Sequence, residues 1–404
     1  MIKKKILVLA EYIGEDSNST SYYWSKIVNK LNCNFDVLLI TPDTPSSRAF
    51  SEKHQVATRF VKRYKYNKNN LVSRFWGQVK QAIIFSSVFR NELKNMDLVF
   101  SGTNPVLTLF MMAVLKRIQP FEWLVLVHDV FPNNLIPAGV TTSNSLFYRA
   151  LESLSKRVYS APDRLICIGR DMKVLLDSKT NDSVVSVYIP NWASTDITKN
   201  EPKIENKILT QYGWERNCVV FQFFGNMGRL QGISNLLKSI SLTKNENARF
   251  LFIGCGSESS YVERMMQEIN DKYEYERVQY YGRLELEKNS QGLNACDVAF
   301  VTLSSGMYGL GVPSKAYFSM AADKPIIYVG DVGTELEILI REHRIGWYCE
   351  PDNPQMLASI IDKITDIYEQ GISNKLNPRA VLKENFSEKM ALDNILHQVK
   401  DLAD

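Results

Sequence analysis

The chain has 404 residues, 45% apolar and 23% charged, with a net charge of +4. That fits a protein of two or three globular domains and excludes fibrous or disordered classes. No apolar run approaches the ~18 residues of a membrane span, and the six cysteines show no paired metal or redox spacing.

The first half reads as strands alternating with helices. Strand candidates are KILVLAEY, DVLLITP, QVATRFV, LVFSG, WLVLVHD, RLICIG and VVSVYIP. Helical spacing falls at 20–32, 72–94, 105–119, 143–160 and 170–179. The apolar segment of MIKKKILVLAEYIG is too short for a secretion signal and fits a first strand. Cys33, Cys167, Cys218, Cys255, Cys296 and Cys349 lie mostly in or beside apolar runs, which predicts buried free thiols in a reducing cytoplasm. The four histidines are far apart and form no metal motif.

Between Arg59 and Lys94 stand nine Lys or Arg residues and a single acid, Glu92. Such a block suits an anionic membrane surface or a phosphate-bearing partner, the bland alternative being a solvated face as in most charge runs. Within it, Val72, Phe75, Trp76, Val79 and Ile83 share a helical face, which is expected to pack on the sheet as in any crossover helix. Aromatic residues do not interleave with the block as stacking platforms, so no nucleic acid is expected as a partner.

Residues 191–206 (NWASTDITKNEPKIEN) are polar and turn-rich and read as a linker. The second half repeats the pattern with VVFQFFG, RFLFIG, VQYYG, VAFVTL, PIIYVG and GWYCE. Its helices are expected near 232–243, 261–273, 286–295, 314–323, 334–343 and 354–370. Strands this apolar are covered on both faces, which implies parallel sheets. The expected fold is α/β, with two Rossmann-like, doubly wound domains at 1–190 and 207–386. The apolar spacing of 387–404 predicts a last helix that returns to brace the first domain. Ligands in such sheets sit beyond the carboxyl ends of the strands.

Several strand ends carry chemistry. In VVFQFFGNMGRLQGISNLL (219–237), Gly225, Gly228 and Gly232 allow close backbone approach, and Arg229 adds a cation. A helix N-terminus after such a loop suits an anion. LFIGCGSE ends with Gly254 and Gly256, and VQYYGRLELEKN with Gly282 and Arg283. VAFVTLSSGMYGLGVPSK joins a glycine loop to Pro313, Ser314 and Lys315 at the start of an apolar helix. A cation there is costly unless an anion meets it. The bland alternative is Ser314 as an N-cap with Lys315 reaching solvent. In the first half, LVLVHDVFPNN places His128 and Asp129 at a strand's carboxyl end.

The order HDVFP, IPNW, GNMGRLQG, LFIGCG, YYGR and GVPSKAYFSMAADKPII resembles glycosyltransferase family 4, retaining enzymes of the GT-B fold. The likeness is to bacterial members that build O-antigen, capsule or exopolysaccharide, including a fucosamine-transferase-like subgroup. The resemblance implies that His128 meets the donor sugar or its phosphate. Gly225, Asn226, Gly228 and Arg229 would cradle a diphosphate, and Lys315 with Ser314 would neutralise it. Gly282 and Arg283 would border the base, and Gly254 and Gly14 would lie near the donor. Two glutamates common in the family are replaced by Leu310 and Phe318, and Asn226 and Gln231 stand where the family carries Arg and Lys.

The implied activity is sugar transfer from a nucleotide-diphosphate donor to a hydroxyl of a lipid-linked glycan, without metal or other cofactor. The implied setting is the cytoplasm, peripheral to the plasma membrane. The rival expectations are a non-catalytic nucleotide-sugar-binding protein, suggested by the missing glutamates, and a sugar-nucleotide epimerase of the same fold.

Overall fold

The computed structural model describes residues 3–14, 18–64, 71–199, 201–371 and 376–404, with side chains of 71–75 outside that description. Two parallel sheets form the molecule. The first contains β1 (Lys5–Leu9), β2 (Asp36–Pro42), β3 (Ala57–Val61), β4 (Leu98–Gly102), β5 (Trp123–Val127), β6 (Arg164–Cys167) and β7 (Val185–Tyr188). Their spatial order is β3-β2-β1-β4-β5-β6-β7. The second contains β8 (Val219–Phe224), β9 (Ala248–Ile253), β10 (Val278–Gly282), β11 (Val298–Thr302), β12 (Ile326–Val329) and β13 (Gly346–Cys349). Its order is β10-β9-β8-β11-β12-β13.

In each sheet the order reverses beside the first strand of the domain, β1 or β8. That creates a crevice at the carboxyl edge, where connections leave in opposite directions. β4, β5 and β11 are buried along their whole length. This explains their continuous apolar character, because helices cover both faces.

The crossover helix Leu71–Glu92 corrects one expectation. Its described core-facing residues are Gln81, Ala82, Phe85, Ser86 and Phe89, whereas Trp76 and Ile83 are 58% and 53% exposed. Two apolar stripes run along this helix, and helical spacing cannot say which one meets the sheet. Val72 and Phe75 lie outside the described side chains.

The segment at 191–206 is anchored rather than merely polar. Trp192 is 2% exposed, its ring stands 4.6 Å from that of Tyr23, and Tyr23 Oη donates to its carbonyl at 3.1 Å. The final helix, Glu388–Ala403, lies along the first helix, Ser19–Asn34. Lys26 meets Glu388 at 3.0 Å and Lys30 meets Asp393 at 2.7 Å. Arg164, at the start of β6, meets Asp401 at 2.7 Å.

Polar contacts also join the two halves across the crevice. Arg170 Nε meets Glu335 at 3.1 Å, and its guanidinium reaches Glu342 at 2.8 Å. Tyr188 Oη donates to Glu335 at 2.6 Å. Glu335 is 1% exposed, so a carboxylate is held inside the interface by a cation and a phenol. An unpaired charge there would be strongly destabilising.

Candidate active site

The carboxyl edge of β8, β9, β11 and β13 encloses a cleft of about 260 Å³. It is lined by Gly228, Arg229 and Gly232, then by Ser234 and Asn235 at the start of the helix Ile233–Leu242, and by Leu303 and Ser304. Glu258 and Asp352 also line it. Gly232 has φ +59°, and an added Cβ would sit 3.0 Å from the carbonyl oxygen of Leu303. Gly254 has φ +130°, and its Cβ would stand 1.9 Å from the carbonyl oxygen of Gly225. The ends of β8 and β9 therefore approach to a distance only glycine permits.

Lys315 opens the helix Lys315–Ala321 and does not reach out to solvent as a snorkelling lysine would. Its Nζ donates to Gln231 Oε1 at 2.7 Å and lies 4.0 Å from the centroid of the Phe223 ring. Gln231 ends the short turn Arg229–Gln231, and Thr302 Oγ1 donates to its carbonyl at 2.5 Å. One turn thus engages both cations: Arg229 belongs to it and is exposed on the cleft wall, and Lys315, half-buried, is bonded to its Gln231. Among the described residues no carboxylate pairs with Lys315, and the surrounding protein pulls its pKa down to about 7. Ser314 makes no side-chain cap bond to the helix.

The glycine loop before Lys315 differs from the expectation of free amides. The N–H groups of Gly306, Met307 and Tyr308 donate to the Asp331 carboxylate at 3.2, 2.7 and 3.1 Å. Gly309 N–H donates to Asp171 Oδ2 at 2.9 Å. These amides serve loop shape and domain contact, because two carboxylates remote in sequence already occupy them. Burial pushes the Asp171 pKa up to about 6, against the lowering effect of Gly309 N–H.

On the opposite side, His128 is half-buried at the end of β5, with the rings of Tyr23 and Trp24 at 6.3 and 6.5 Å. Surrounding protein lowers its pKa to about 4, so at neutral pH it is an uncharged donor and acceptor. Asp129 is crowded by protein yet exposed at its surface, as for a group on the floor of an open crevice. Crowding raises its pKa, and a hydrogen bond from Asn104 opposes that. A Cβ on Gly311 would stand 3.3 Å from Asp129 Oδ1. Val130 N–H donates to the Leu310 carbonyl at 3.2 Å, so the loop ahead of Lys315 touches His128 and Asp129 directly.

The remaining expected residues scatter around this centre. Gly225 and the exposed Asn226 follow β8. Gly282 ends the edge strand β10 with open space beside its Cα, and Arg283 is exposed next to it. Neither lines the cleft. Gly14 packs on Ser46; its N–H donates to Ser25 Oγ at 2.8 Å and its carbonyl accepts from Ser21 Oγ at 2.7 Å. The first helix is capped by Asn18, whose side chain accepts from Ser21 N–H. Leu310 is 4% exposed, and Phe318 packs edge-on to Tyr22 with ring centroids 5.4 Å apart. Where the resembled family places acids, this chain has interdomain packing.

Of the basic block, Lys65 and Lys68 lie outside the described residues, as does the Arg74 side chain. Arg59 is tied to Glu92 at 2.7 Å, and Lys62 and Lys80 lie near the ring of Tyr64.

Two doubly wound domains, the second carrying a glycine-built cleft at its carboxyl edge, make a GT-B architecture. Solved structures share it over nearly their whole length. Sucrose-phosphate synthase of Thermosynechococcus elongatus is 16% identical with a TM-score of 0.76, covering 99% of both chains. Anabaena HepE in complex with UDP and glucose is 16% identical with a TM-score of 0.72, covering 98% of this chain and 100% of that one. Residues 218–366 match the family described as glycosyl transferases group 1. A probable glycosyltransferase of Pseudomonas aeruginosa, WbjE, is 43% identical over 399 residues, 98% of each chain. The chain belongs to this family of glycosyltransferases.

Proposed function

We propose that the protein transfers a sugar from a nucleotide-diphosphate donor to a hydroxyl of a lipid-linked glycan, with retention of configuration. Within its family we place it with family 4 enzymes of the fucosamine-transferase-like kind, acting in surface polysaccharide assembly. The domain at 207–386 takes the donor and that at 1–190 the acceptor. The transferred group is a hexose or N-acetylhexosamine. The observation that carries the reading is the placement of Lys315, an ammonium without a carboxylate partner, held by Gln231 on the same turn that bears Arg229.

In the reaction the acceptor oxygen bonds to the anomeric carbon as the bond from that carbon to the phosphate oxygen breaks. The electron pair leaves with the nucleoside diphosphate, and the proton of the acceptor hydroxyl passes to the departing phosphate oxygen. Charge growing there is met by Lys315, Arg229 and the amides around Gly228 and Gly232, all fixed before reaction. Such groups act more on the transition state than on the ground state. The reading assigns neutralisation to protein groups rather than to a metal. His128, uncharged, orients the sugar or its phosphate through hydrogen bonds. Among relatives of this fold, the Anabaena protein was solved with UDP and glucose, which supports a nucleotide-sugar donor. Among the described residues no helix is long and apolar enough to cross a membrane. The reading therefore brings the enzyme to its acceptor as a peripheral protein on the cytoplasmic face, aided by the basic residues of 59–94.

The test is release of nucleoside diphosphate from a panel of nucleotide sugars, with and without glycan acceptor. Acceptor-dependent release supports transfer. Release without acceptor would indicate hydrolysis or epimerisation, and donor binding with no release would indicate a binding protein.

A further inference from the structure

A second cavity, of about 530 Å³, lies away from the donor cleft between the last turns of two helices of the first domain, Val106–Ile118 and Leu146–Tyr159. It is lined by Lys116, Arg117, Lys156, Arg157 and Lys179. Lys116 is paired with Asp163, and Lys179 with Glu152. Arg117, Lys156 and Arg157 are exposed and have no carboxylate partner among the described residues. A cation in a last turn complements the helix dipole, but two adjacent cations on each of two facing helices exceed that need.

The surface beside these cations is apolar. Val114 and Ile118, one turn apart, are 58% and 74% exposed, and Leu154 is 46% exposed. Along the same helix Leu146 and Phe147 are 81% and 63% exposed. Phe147, Leu154 and Arg157 share one outward stripe at helical spacing. Within these two helices the only acid is Glu152, which is engaged with Lys179.

We propose that the outer surface of these two helices docks on an anionic lipid bilayer. Arg117, Lys156 and Arg157 meet lipid phosphates, while Val114, Ile118, Leu154 and Phe147 enter the interfacial layer. Charge decides among occupants. A second copy docked symmetrically would press like charges together, and a soluble phosphate would need no exposed apolar rim. The inference deepens the membrane partner proposed above by moving its main contact away from the 59–94 segment, and it rests on that reading for its purpose.

The test is sedimentation of the full-length protein with vesicles of phosphatidylcholine alone or containing phosphatidylglycerol. Anionic vesicles should bind at least about tenfold more protein, with binding falling as salt rises. Arg117→Glu/Lys156→Glu/Arg157→Glu should lower that binding by about a hundredfold, with an unchanged melting temperature and an unchanged thermal shift by UDP or GDP. Val114→Ser/Ile118→Ser should weaken it less. Reversal of Arg63, Arg90 and Lys94, a control matched in charge, should have a smaller effect than the triple variant. Unchanged binding by the triple variant, equal binding to both vesicles, or a larger loss in the control would overturn the proposal. So would a concentration-dependent dimer that the triple variant abolishes without any lipid binding. The unchanged nucleotide shift keeps a failure here separate from a failure of the transferase reading.

Discussion

On the C-terminal side of the crevice, the cleft is lined by backbone, amide and cation, set on turns between buried strands, with the carboxylates of Glu258 and Asp352 beside them. On the N-terminal side they are an uncharged imidazole, a carboxylate and aromatic rings. Arg229 lies on the turn whose Gln231 holds Lys315, whereas His128 and Asp129 face the glycine loop across a domain boundary. Under the proposed transfer, the difference separates two tasks. Holding and discharging a diphosphate needs fixed positive potential. Receiving a sugar and an acceptor hydroxyl needs neutral hydrogen-bonding groups that do not compete for that potential.

The contrast is broken most readily at Lys315. Lys315→Ala should lower kcat by about 10²–10³ and weaken donor binding less, as read by turnover and by donor titration. Near-normal turnover would remove Lys315 from the chemistry. The register between the two sides depends on Arg170, which neutralises the buried Glu335. Arg170→Ala should reduce stability by about 3 kcal/mol in denaturant unfolding, and Arg170→Lys should recover part of that. Arg229 is exposed and screened by water, so Arg229→Ala should lower kcat only severalfold, ~1 kcal/mol, a smaller loss than at Lys315.

Much of this was open to sequence reasoning. The strands announced themselves as short apolar runs, several followed by glycine, and GVPSK marked the lysine because a cation at the head of an apolar helix requires a partner. The partner itself did not show. Gln231 is a neutral amide 84 residues away, and no local pattern marks such a residue. Asp331 and Asp171 were hidden for the same reason, so the glycine loop looked richer in free amides than it is. Trp192 was visible as the one large ring in a polar stretch, yet composition hid its burial. In the helix Leu71–Glu92 both stripes are apolar, and only the packed Phe85 and Phe89 reveal which faces inward.

The central claim concerns the protonation of Lys315. Its folded pKa of about 7 lies below the ordinary value of 10.5. Between those values the unfolded chain holds more protons, so this residue penalises folding most below pH 7 and less as pH rises toward 10.5. A bound diphosphate favours the ammonium, so binding should draw in a proton wherever the free enzyme lacks it. Calorimetric titration with UDP or GDP, whichever raises the melting temperature, at about pH 8 in two buffers of different ionisation enthalpy reads this directly. The account predicts uptake of nearly one proton, abolished in Lys315→Met. Nucleotide binding with identical apparent enthalpy in both buffers would contradict it.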